Sequence, residues 1–396
     1  MTSNQPQKLT FQFILLLGAI SALTPLAIDM YLPAMPSIAK DFSVSPSFVQ
    51  TTLTAYTAGF AVGQLLHGPL ADSFGRKPIL VIGTICFLIA TVLGATSTNI
   101  TALTWIRVAQ GFAGAAAAVI IQALVRDMFE REEFARTMSF ITLVMTVAPL
   151  AAPMIGGYFS VWFGWRSVFW FLAIFAAIVI FAILFKIKET LPEEKRLPFN
   201  LVGTLRNYFK LMTNPIAVGL LLASGFSFAG MFTFLTVGSF VYIDLYGISP
   251  EAFGYYFGLN IICLIVMTSI NGRMVKKKGS HWMLRFGLTV QLLAGIGLIV
   301  GQLLNLGLWG TVIPVMIFVG TISTIGSNTM ACLLGRYPHM AGTASSLAGT
   351  LRFGTGSLVG GIVAMMPDAT AWPMAMTMAS CAVLSAGFYW LLSRDA

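Results

Sequence analysis

The sequence predicts an all-α integral membrane protein with twelve transmembrane helices in two pseudo-repeated six-helix bundles. Three observations carry that reading. Of 396 residues, 57% are hydrophobic and only 9% charged, with a mean hydropathy of +0.85; a soluble domain carries about 25% charged residues. Apolar runs close to the ~20 residues that cross a bilayer recur along the whole chain. Glycines also repeat at a spacing of 204 residues. Gly68 and Gly75 recur as Gly272 and Gly279, and Gly156-Gly157 as Gly360-Gly361, as expected of a duplicated transporter fold.

In order, the spans are expected near 11–32, 48–69, 78–97, 101–123, 136–160, 166–187, 215–242, 252–273, 282–303, 309–331, 341–365 and 371–392. Met1–Lys8 is polar and no small-residue cleavage site follows it, so the first apolar run reads as a retained span. Lys188–Asn214 is too polar to cross. It reads as a cytoplasmic linker with an amphipathic surface helix around Val202–Met212, dividing the chain into bundles at 1–187 and 215–396.

The net charge of +9 does not indicate nucleic acid, because the charges sit on one side. Lys40 and Arg166 fall on the far face, Arg107 and Arg352 inside spans, and all other Lys and Arg on the side of Arg76. By the positive-inside rule that side is cytoplasmic and includes both termini, with Lys8 and Arg394. Cys86, Cys263, Cys332 and Cys381 lie in separate apolar runs and read as buried free thiols. His67, His281 and His339 share no ligand spacing, so no metal is expected. No phosphate-binding loop is present and nothing resembles an enzyme site. No cofactor is expected; the energy source is an ion gradient.

Gly68–Leu80 reads G-P-L-A-D-S-F-G-R-K-P-I-L and joins the second and third spans in a short turn. Gly68 and Gly75 allow close approach or positive φ. Asp72 can accept from the amides of a neighbouring helix N-terminus, and Arg76 and Lys77 place positive charge at the surface. The stretch resembles the loop between the second and third helices of the major facilitator superfamily, G-x-L-A-D-R-x-G-R-K-x-x-L, with Ser73 in place of the usual Arg. The resemblance implies a cytoplasmic gating role for these five residues.

Asp29, Arg107 and Arg352 lie inside spans, where a charge costs roughly 2.5–3.5 kcal/mol and a functional role is the default. Asp29 is about 27 Å along the first span and Arg107 about 9 Å into the fourth, which enters from the other face. They therefore reach similar depth and can pair. Burial favours a neutral carboxyl and a nearby guanidinium an ionised one, a balance suited to a proton site; the alternative for Asp29 is a cap at the membrane surface. Leu103-x-x-x-Arg107-x-x-Gln110-Gly111 resembles the superfamily's fourth-helix motif, which implies a part for Arg107 in proton transfer. Ala148-Pro149-Leu150-Ala151-Ala152-Pro153-Met154-Ile155-Gly156-Gly157 resembles the fifth-helix motif of drug/proton antiporters, with alanines for its two leading glycines. Pro149 and Pro153 read as kinks; the resemblance associates this segment with export, and the alternative is a purely structural bend.

With D-M-Y-L-P-A-M-P after the first span, the chain is similar to the Bcr/CflA group of drug/proton antiporters. That resemblance implies proton-driven export of small amphipathic drugs, bicyclomycin-type antibiotics among them, by a monomer in the bacterial inner membrane. The expected partners are small molecules, protons and lipid, and not nucleic acid. A proton-linked transporter of an ordinary metabolite is the main alternative, ahead of a passive channel. Tyr31, Tyr56, Gln64, Phe232, Tyr256, Asn260 and Asn328 are candidates for the substrate cavity. Arg352 either joins them or ties backbone carbonyls.

Overall fold

The computed structural model describes residues 11–129, 131–196, 198–337, 340–366 and 370–393; Lys8, His339 and Arg394 lie outside the described residues. The first half runs through α1 (Phe11–Asp29), a 3-10 turn (Leu32–Ala34), α2 (Met35–Asp41), α3 (Pro46–Phe74), α4 (Arg76–Ala95), α5 (Ile100–Met128), α6 (Arg131–Phe163) and α7 (Arg166–Lys186). After α8 (Leu201–Met212) come α9 (Pro215–Ser239), a π-helical turn (Phe240–Leu245), α10 (Pro250–Lys278), α11 (Ser280–Leu303), α12 (Gly307–Gly320), α13 (Ile322–Arg336), α14 (Ala341–Ala364) and α15 (Trp372–Leu392).

Eleven stretches among the described residues are long and apolar enough to cross a membrane, and they match every expected span except the second. That one is α3, long enough at 29 residues but rich in threonine. Its hydroxyls return to its own backbone: Thr51 donates to the Ser47 carbonyl at 2.8 Å, Thr52 to Val49 at 2.7 Å and Thr54 to Thr51 at 2.9 Å. Such internal satisfaction makes polar residues tolerable in a membrane helix. The expected tenth span is broken at Thr321 into α12 and α13. Of the four free cysteines, Cys381 is buried and Cys86 is exposed, so burial of all four does not hold.

The repeat extends beyond the glycines. α3 and α10 are both 29 residues long. Each follows a serine N-cap, Ser45 or Ser249, and has proline in its first turn, where the missing N–H costs nothing. Each ends at a glycine of positive φ: +100° at Gly75 and +84° at Gly279. The connection expected over Gly68–Leu80 is thus a single residue. Gly68, Pro69 and Asp72 are helical, and a Cβ on Gly68 would meet Val119 at an ordinary 3.8 Å. Helix continues there because an interior Pro disturbs only the preceding turn, while Asp72 gains an ion pair one turn on with Arg76.

The halves close on each other at the end opposite Gly75. α6 lies along α10 and α3 along α14. A Cβ on Gly157 would meet the Pro250 carbonyl oxygen at 2.5 Å, and one on Gly254 the Met154 backbone at 2.7 Å. Ser357 donates to the Thr54 carbonyl at 2.8 Å, Phe60 and Phe353 have ring centres 4.3 Å apart, and the Tyr158 and Tyr255 hydroxyls are 3.2 Å apart. Lys40 and Asp244 add an exposed pair at 4.0 Å.

Within the first half, α3 and α5 cross at backbone contact. A Cβ on Gly59 would overlap the Val108 carbonyl oxygen, and one on Gly111 the Tyr56 carbonyl oxygen, a small-residue interface of the kind membrane helices favour. Gly111→Ala is therefore expected to cost about 1–3 kcal/mol and to lower the unfolding temperature in detergent, followed by tryptophan fluorescence. Gly354→Ala, where nothing lies within 4 Å of the added carbon, should not lower it.

Candidate functional site

The α3–α5 crossing positions the largest fully buried side chain, Arg107. Its Nη1 donates to the Ala27 carbonyl at 3.1 Å and to Gln110 Oε1 at 2.8 Å. Gln110 is oriented in turn by donating from Nε2 to Thr91 Oγ1 at 2.8 Å. The guanidinium carbon lies 4.4 Å from the ring centres of both Tyr31 and Tyr56, contacts worth up to ~2 kcal/mol when desolvated. Tyr31 is fixed by Thr52: the Thr52 hydroxyl donates to Val49, so its oxygen accepts from Tyr31 at 2.6 Å. Nε and Nη2 of Arg107 have no partner.

Asp29 sits two residues beyond Ala27, where α1 ends before the 3-10 turn. It is 6% exposed and within electrostatic reach of Tyr56. No ion pair joins it to Arg107 or to any other cation within 4.0 Å among the described residues. The break after α1 is covered by α6, where a Cβ on Gly156 would overlap the Met30 carbonyl oxygen. The structure thus gathers Asp29, Arg107, Gln110, Gly111, Tyr31, Tyr56 and Gly156 around one chain break. Pro149 and Pro153 lie inside α6, which runs on through both.

The other cavity candidates are dispersed. Phe232 is buried against Gly356 and Gly360. Asn328 is buried and donates to Asn271 Oδ1 at 2.7 Å, while buried Asn260 leaves Nδ2 unpartnered. Tyr256 lies tilted against Trp309, ring centres 6.0 Å apart, and Gln64 abuts Gly349 across the halves. Arg352 donates from Nε to Ser224 Oγ at 2.9 Å and packs on Gly326.

At the Gly75 turn, Arg76 is 5% exposed and pairs with Asp72 at 2.6 Å and Asp127 at 3.2 Å. Asp72 therefore pairs with the first side chain of α4, and the carboxylate seated on the α4 N-terminus is Glu189. Its two oxygens accept from the Arg76 and Lys77 amides at 3.0 and 3.1 Å, where unsatisfied N–H groups and the helix dipole favour an anion. Sequence reasoning placed Glu189 only in the linker. Its one local signal is a carboxylate directly after a span, while Asp127 has a basic neighbour, Arg126.

The model of the Major Facilitator Superfamily matches residues 17–361. The chain belongs to that superfamily. As a superfamily member it is a membrane transport protein and not an enzyme. It is 44% identical over 390 residues to a bicyclomycin resistance protein homolog of Haemophilus influenzae, covering 98% of both chains. To multidrug resistance protein D of Escherichia coli it is 26% identical, over 90% of this chain and 89% of the relative. The fold is also that of the nucleoside transporter NupG, with a TM-score of 0.76 at 14% identity over 95% of this chain and 99% of that one.

Removing the Glu189 carboxylate should free the α4 N-terminus and the start of the linker, at a cost near the ~1 kcal/mol of a lost helix cap. Glu189→Ala is expected to speed protease cleavage between 188 and 214 in the detergent-solubilised protein; cleavage at the wild-type rate would show that the cap holds nothing.

Proposed function

We propose that this transporter exports small amphipathic drugs, bicyclomycin-type antibiotics among them, in exchange for protons across the bacterial inner membrane. In this reading Asp29 takes up and releases the proton, and Arg107 adjusts how tightly it is held. The supporting observation is a buried guanidinium with two nitrogens unpartnered, held by the Ala27 carbonyl two residues before a buried carboxyl, Asp29, that has no ion-pair partner within 4.0 Å. Leaving either charge uncompensated is costly, so an approach of Asp29 to Arg107 favours proton release, and separation favours uptake. Resistance names among the relatives support a drug as the exported molecule.

The bundles at 1–187 and 215–396 rock about the linker at 188–214, and the Arg76–Asp72–Asp127 cluster with Lys77 works at the cytoplasmic gate. The closed end opposite Gly75 then faces outward, and the protein acts as a monomer. Asp29→Asn is expected to abolish uphill drug accumulation in proton-energised inverted vesicles while leaving downhill exchange. Uphill accumulation by that variant would remove Asp29 from the mechanism, and an ordinary metabolite transported in preference to every drug would overturn the substrate.

Orientation has its own test. In a chain whose natural cysteines are replaced, a cysteine at Lys40 should react with an impermeant thiol reagent in intact cells, and one at Asn200 should not. The reverse pattern would turn the protein over.

A further inference from the structure

We propose that a groove on the membrane-facing side of the first half holds one phospholipid acyl chain from the leaflet beside the Gly75 turn. The groove, about 720 Å³, lies between α3 and α4 with α5 as its floor, and ligand pockets usually measure about 300–1,000 Å³. It exists because two glycines on its walls let both helices sit down on α5. Gly59 meets the Val108 carbonyl, and Gly83 meets Ala116.

Trp105, Ala109 and Phe112 of α5 form a stripe at i, i+4 and i+7, on the face turned away from Arg107. Val62, Ile82 and Trp105 on its rim are 52%, 56% and 70% exposed. In a membrane-spanning helix, large apolar groups so exposed face hydrocarbon.

The shape selects a chain and not a headgroup. On α3 the lining runs from Ala58 to Leu70, a rise of about 18 Å, more than half of a ~30 Å hydrocarbon core. No Asp, Glu, Lys or Arg lines it. The imidazole in the wall, His67, spends Nδ1 on the Gly63 carbonyl at 2.7 Å and lies tilted against Phe112, ring centres 4.9 Å apart. The cations beyond its mouth are engaged: Arg76 by Asp72 and Asp127, and Lys77 by the Leu184 carbonyl at 3.0 Å. A trough with such walls stays dry, and the bilayer supplies hydrocarbon at that depth. Leu70 lies within about two turns of Gly75, which sets the leaflet.

Native mass spectrometry of the protein in mild detergent should show one phospholipid retained per chain. Ala109→Trp fills the floor from an exposed position and should lose it. Ile178→Trp, at a 62% exposed site on α7, should keep it. Retention by Ala109→Trp, equal loss in both variants, or a two-chain species that Ala109→Trp dissociates would each overturn the proposal, the last in favour of a second copy as occupant. Cys86, on the α4 wall of the groove, gives a second measurement. With it as the one cysteine and carrying a fluorophore, quenching by lipids with brominated chains should saturate at low mole fraction. Quenching that only follows bulk lipid composition would reduce the groove to ordinary boundary lipid.

Discussion

A guanidinium buried without a carboxylate governs the centre of the first half. Arg107 is accommodated because one nitrogen has two acceptors and two tyrosine rings lie against its carbon. Each of those groups arrives by a separate backbone demand. Tyr56 is close because Gly59 and Gly111 let α3 and α5 touch, Tyr31 because α1 stops at Asp29, and Ala27 because the same helix end exposes a carbonyl. The cage therefore depends on glycines and a helix break as much as on polar residues. An energetically incomplete arrangement of this kind is what a transporter needs, since a fully satisfied charge has no reason to change partners.

The two ends of the molecule are built differently. Opposite Gly75, α6 meets α10 and α3 meets α14 by close packing, with few charges. At the Gly75 end the contacts described for Arg76 and Lys77 are ion pairs and charge-assisted hydrogen bonds, and they come from the first half and the linker. Packed glycine contacts are sensitive to tenths of an ångström, whereas the Gly75 end is held by directional, charge-assisted hydrogen bonds around a 5% exposed guanidinium.

Much of this was legible in the sequence. Composition and run length give the spans, and the 204-residue glycine spacing survives in three dimensions as matched Gly75 and Gly279 turns. The second span, expected at 48–69, is present as α3; its threonines lower its hydropathy, but their hydroxyls are satisfied by the helix that carries them. Asp29 and Arg107 stood out because charge in a span is costly. The tyrosines were identified, but as cavity residues; that they enclose Arg107 follows from helix rotation, which no local pattern states. Glu189 was least legible, since its role depends on a turn more than a hundred residues earlier. The substrate candidates of the second half were chosen by residue type alone, and burial separates Phe232 and Asn328 from Tyr256 and Arg352.

The seat of Glu189 also limits how far the halves can travel. It pins the linker's beginning to α4, and Arg196 lies beside the same Gly75. At the other side, Tyr208 and Leu211 of α8 are packed among Leu220, Leu284 and Leu333 of the second half. What remains is a tether of five peptide steps from Arg196 to Leu201, with a reach of at most about 18 Å. A swing that carries those anchor points further apart has to release Arg196 from beside Gly75 or peel α8 from its bundle. The leash between the halves is therefore much shorter than the stretch of polar sequence that forms it.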